Sequence, residues 1–110
     1  MRAVDLRDDA GILTGFEVSN VLLSRRRACR IASAVLGASV HRRPLRWAWS
    51  DDEFCRFDVD GTPFLIVEPF GDSDRYCVVA EIPSVDNAAL IGRVKASFVA
   101  AWGWPLSRRR

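Results

Sequence analysis

Apolar and polar positions alternate with period two across residues 54–82, the rhythm of strands. Phe54-Cys-Arg-Phe-Asp-Val59 runs into Asp60-Gly61 and then Thr62-Pro-Phe-Leu-Ile-Val-Glu68. After Pro69-Phe-Gly-Asp-Ser-Asp74 the alternation resumes as Arg75-Tyr-Cys-Val-Val-Ala-Glu-Ile82. Asp-Gly supplies the positive φ angles of a two-residue hairpin. Residues 54–59, 62–68 and 75–82 are therefore expected to form a three-stranded antiparallel meander.

On either side the period changes to that of a helix. Residues 20–36 carry Val21, Ala28, Cys29, Ala32, Val35 and Leu36 near helical spacing, with Asn20 or Ser24 as cap and Gly37 as stop. Residues 84–102 carry Leu90, Ile91, Val94, Phe98, Ala101 and Trp102, capped by Ser84 or Asp86 and ended by Gly103 and Pro105. Elsewhere the pattern is weaker. Residues 12–18 suggest a short strand that Gly11 and Gly15 disfavour, and Val40–Arg42 suggests another. The ends, about 1–11 and 104–110, are polar or without packing partners and are expected to be flexible. These elements predict an α+β two-layer sandwich in the order helix, three-stranded antiparallel meander, helix, with both helices on one sheet face. The chain, residues 1–110, is read as one domain.

The hairpin register assigns residues to faces. A two-residue turn at Asp60-Gly61 pairs Phe57 with Phe64 and Cys55 with Ile66. Cys55, Phe57, Val59, Phe64, Ile66, Val78, Ala80 and Ile82 then share the core face. The second face carries Phe54, Leu65, Val67, Cys77 and Val79, with Arg56, Asp58, Arg75 and Glu81 around them. A sheet with one wet face normally alternates cleanly between apolar and polar. A face that is apolar in its middle and charged at its edges has the composition of an interaction patch. Its occupant is either a partner chain, including a second copy of this one, or an internal lid from residues 12–18 or 38–49.

Composition narrows the function classes. Hydrophobic residues make up 49% and charged residues 27%, which is globular rather than disordered. No apolar run reaches the ~20 residues of a membrane helix, and the N-terminus lacks the apolar core of a signal peptide. Cys29, Cys55 and Cys77 are an odd set with no C-x-x-C spacing, as expected for reduced thiols in a cytoplasm. Net charge is +2, and of sixteen basic residues only Lys95 is lysine.

Candidate chemistry is sparse. His41 is the lone histidine, with no cysteine beside it in sequence. The carboxylates Asp58, Asp60, Glu68, Asp72 and Asp74 gather at the hairpins, where Asp is a preferred turn residue. Gly71-Asp-Ser-Asp74 lacks the frame of a calcium loop. No nucleotide-binding, nucleophile-elbow or zinc motif occurs, so neither catalysis nor a cofactor or metal is expected.

Basic clusters remain. Arg25, Arg26, Arg27 and Arg30 form one; Arg42, Arg43 and Arg46, followed by Trp47 and Trp49, form another; Arg108, Arg109 and Arg110 end the chain. Arginine beside aromatics suits a nucleic-acid strand through phosphate contact and stacking. By element order, residues 20–102 resemble the double-stranded-RNA-binding domain. The Lys-rich start of that family's second helix is here Ser84-Val-Asp-Asn-Ala88, which removes its phosphate grip. Residues 69–76 resemble segments of small bacterial proteins and imply no activity. The chain therefore reads as a non-enzymatic, cytoplasmic bacterial protein acting by protein–protein interaction, an adaptor, immunity-type or regulatory factor. A nucleic-acid-binding domain is the alternative.

Overall fold

Asp60 and Gly61 both adopt positive φ, 50° and 85°, so the hairpin turns where the sequence places it. The structure, a computed structural model, describes the backbone of residues 2–42, 53–69 and 74–107 and the side chains of residues 2–41, 53–69 and 74–101. The predicted meander is formed by β4 (Glu53–Val59), β5 (Thr62–Val67) and β6 (Arg75–Ala80). Its pairings are antiparallel, with Val59 opposite Thr62, Phe57 opposite Phe64 and Cys55 opposite Ile66.

The helix–three-strand–helix sandwich is nevertheless incorrect. Among the described residues three further strands are present: β1 (Ala3–Arg7), β2 (Leu13–Ser19) and β3 (Ala38–Arg42). Together they give a six-stranded, wholly antiparallel sheet in the order β1-β2-β6-β5-β4-β3. The extra strands also remove the likeness to the double-stranded-RNA-binding domain, which rested on element order.

Two local reasons explain the difference. Residues 3–7, expected to be frayed, are ordered by pairing with β2. Gly15, expected to weaken its strand, is what lets β2 lie against β6. A Cβ there would stand 2.1 Å from the Val78 carbonyl oxygen and 2.7 Å from the Val79 Cα, so any side chain would force the strands apart.

The helices are α1 (Arg25–Ser33) and α2 (Ala88–Ser107), the latter preceded by a 3₁₀ turn over Val85–Asn87. α1 begins later than Asn20 because Leu23 N–H bonds back to Asn20 in a turn. Ser24 then caps it, its hydroxyl accepting from the Arg27 N–H at 3.1 Å. α2 continues through Gly103 and Pro105 to Ser107. At its start the Asn87 side chain donates to the Ile82 carbonyl at 2.9 Å.

Both helices cover the same sheet face and share one apolar cluster with it. Ala28, Cys29 and Ala32 bring α1 close over β3 and β4, and Ile91, Val94 and Phe98 press α2 toward β2. Phe98 meets Phe16 edge-to-face at 5.6 Å rather than the Phe57–Phe64 pair, which stacks on itself at 5.4 Å. Ile82, assigned to the core by alternation, is 68% exposed. β6 ends at Ala80, so the alternation does not reach it.

Phe98 is fully buried, and truncating such a ring leaves a cavity. Phe98→Ala is expected to cost about 3–5 kcal/mol, read from urea unfolding. Gly15→Ala should cost at least the ~1–3 kcal/mol of an overpacked core, because the obstructing atoms are backbone. Amide exchange should then accelerate first in β1 and β2; unchanged protection there would show that the β2–β6 approach tolerates a side chain.

Candidate partner-binding face

Residues directly opposite in adjacent strands share a face, so the register builds the side of the sheet away from α1 and α2 row by row. One row runs Leu6, Gly15, Val79, Leu65, Arg56. The next runs Val4, Glu17, Cys77, Val67, Glu53. Leu65, Val67, Cys77 and Val79 thus lie together at the centre, each partly exposed. Leu6 and Val4 extend the apolar surface onto β1, a part of the face that the three-strand reading did not contain.

Charges surround this centre in mutual pairs. Arg56 meets Glu53 at 2.6 Å and Glu81 at 3.7 Å. Arg75 meets Glu17 at 2.7 Å, and His41 Nε2 meets Asp58 at 2.9 Å. The Arg56 guanidinium is held above its ordinary value by its hydrogen bond to Glu53 first and by the charges of Glu53 and Glu81 next.

Phe54 does not belong to this face. The β4–β5 register shifts between Glu53 and Cys55, and a bulge of this kind changes the phase of the strand. Phe54 is consequently buried at 2% exposure. Its ring stands edge-to-face to Tyr76 at 4.9 Å, and the Arg25 guanidinium lies 4.9 Å from its centroid. Alternation alone carried no sign of the bulge.

The same contact occupies a member of the first arginine cluster. Arg25 also donates to Glu68 at 2.8 Å, whereas Arg26, Arg27 and Arg30 are exposed. Arg42 takes its backbone place opposite Arg56. Arg43, Arg46, Trp47 and Trp49 lie outside the described residues, as do Asp72 and Arg108–Arg110. Of the two proposed internal lids, residues 12–18 are instead part of β2 within the sheet, and residues 38–42 of the second form β3 at its edge. The rest of the second lid, residues 43–49, lies outside the described residues.

The other candidate groups are held by structural contacts. Asp60 pairs with Arg93 at 2.8 Å, and Asp74 approaches Arg75 at 3.8 Å. Among the described residues no group of three or more His, Cys, Asp or Glu side chains could hold a metal ion. No family model matches this chain, and neither a curated protein nor a solved structure resembles it at a significant level.

Tyr76 offers a titration test of the Phe54–Arg25–Glu68 corner. Its phenol is raised above the ordinary 10.0, first by burial and then by the charge of Glu68, with Arg25 opposing. As pH rises, the unfolded phenol loses its proton first, so the unfolded state binds fewer protons and stability falls. Tyr76→Phe should lose stability less steeply than the parent as pH rises through the ordinary 10.0 of a phenol and beyond. Parallel urea midpoints across that range would contradict the buried-phenol assignment.

Proposed function

We propose that this chain acts by binding another protein through the face of its sheet away from the two helices, as an adaptor, immunity-type or regulatory factor in a bacterial cytoplasm. The supporting observation is the division of labour between the two faces. Both helices cover one side; the other presents Leu65, Val67, Cys77 and Val79 inside a ring of ion pairs. Specific interfaces combine an apolar centre with a polar rim in this way. Exposed ion pairs contribute little to stability, so the ring's larger role is to orient a partner bearing complementary charges. The apolar centre supplies the driving force for docking.

A non-catalytic role agrees with the state of the titratable groups. His41 is exposed, and among the described residues its hydrogen-bond partner is Asp58, with no thiol or hydroxyl nucleophile bonded to it. No helix among the described residues is long and apolar enough to cross a membrane. Exposed Arg26, Arg27 and Arg30 on α1 support a second reading, nucleic-acid binding through phosphate contacts, which would weaken steeply with added salt.

Val67→Asp tests the interaction reading. A carboxylate at the centre of the patch is expected to abolish association in light scattering and partner capture, while the melting temperature stays near that of the parent. A folded variant that associates as before would refute the reading. Loss of the folded state would mean that the face is covered from within, since an unpaired buried charge is costly.

A further inference from the structure

Cys29 and Cys55 lie 26 residues apart in sequence, on different elements, yet their Sγ atoms are 2.8 Å apart. Two sulfur atoms that are not bonded normally pack farther apart than this. Both residues are thiols in the structure, and both are buried, Cys29 at 2% and Cys55 at 0% exposure. The approach follows from the small residues of α1. With Ala28 and Ala32 on the same buried stripe, the helix backbone settles close to β4, and Cys29 is placed over Cys55. Cys77 is on the opposite sheet face, beside Val67, and cannot compete for either sulfur.

We propose that Cys29 and Cys55 are a modification site, a dithiol that closes reversibly to a disulfide joining α1 to the sheet. A small disulfide such as oxidised glutathione serves as oxidant. The Cys29 thiolate attacks one sulfur of the oxidant; its S–S bond breaks, and one glutathione leaves as a thiolate that takes up a proton. The Cys55 thiolate then attacks Cys29 Sγ in the mixed disulfide and displaces the second glutathione, which is protonated in turn. The protein loses two electrons and two thiol hydrogens, and the oxidant gains both. Access requires α1 to lift from the sheet. α1 has nine residues, shorter than the ~12–15 at which an isolated helix is even marginal, so local opening supplies the route. Closure then ties the helix to its strand.

The test uses Cys77→Ser, which leaves only the paired thiols, incubated with oxidised glutathione and quenched in acid. Mass spectrometry is expected to find one species lighter by two hydrogens, with the Cys29 and Cys55 peptides linked. Far-UV circular dichroism should be unchanged, and the urea midpoint should rise because the cross-link restricts the unfolded chain. Dithiothreitol should reverse both the mass change and the midpoint shift. Glutathione adducts without a cross-link, or no reaction at all, would overturn the proposal. A cross-link accompanied by loss of the native circular dichroism would overturn it as well, because the native packing would then not accommodate the bond.

Discussion

The pairing of β2 with β6 is the contact on which the remaining structure depends. It joins the N-terminal hairpin to the meander through Gly15 opposite Val79, Phe16 opposite Val78 and Val18 opposite Tyr76. Through it Phe16 enters the core, where Phe98 of α2 closes over it. Without β2, the buried stripe of α2 would lack its aromatic counterpart and β6 would be an exposed edge. The contact is also among the least local in the chain. Its loop-closure entropy must be met before its hydrogen bonds and buried rings contribute. The strands that gather it, β4, β5 and β6, are those with strong local turn chemistry or direct chain succession.

This ordering explains what could be read in advance. The β4–β5 hairpin was legible because Asp60-Gly61 fixes both turn geometry and register. The buried stripe of α2 was legible from its spacing, but that of α1 only at Ala28, Cys29 and Ala32: Val21 and Leu36, read as part of it, lie outside the helix and are exposed. The β1–β2 hairpin was obscured because two of its features count against a strand when taken locally. Charged residues occupy β1, and glycine interrupts β2. In the folded chain those features are requirements: Gly15 makes room for the backbone of β6, and Asp5 is held by Lys95 at 2.7 Å.

The candidate face was legible at its centre and not at its margin. Leu65, Val67, Cys77 and Val79 are brought together as alternation implied. Phe54 is removed by a bulge, a backbone event that no side-chain pattern announces. Leu6 and Val4 were missed because their strand was missed. Arg25 illustrates the same limit for charge. As one of a run of arginines it looked available to phosphate, but packing commits it to Phe54 and Glu68, so a count of basic residues overstates the surface charge on offer.

The two outer strands carry a consequence of their own. β1 and β3 have five residues each, and an open strand edge is a template on which another chain can assemble by backbone hydrogen bonding. Asp5 lies opposite Phe16, on the helix side of β1, where it reaches Lys95. A seventh strand laid along this edge would have to desolvate that ion pair or break it. Short, charged edges of this kind discourage open-ended polymerisation and fibril growth. Growth of this sheet by a further strand would therefore start from two edges that resist it.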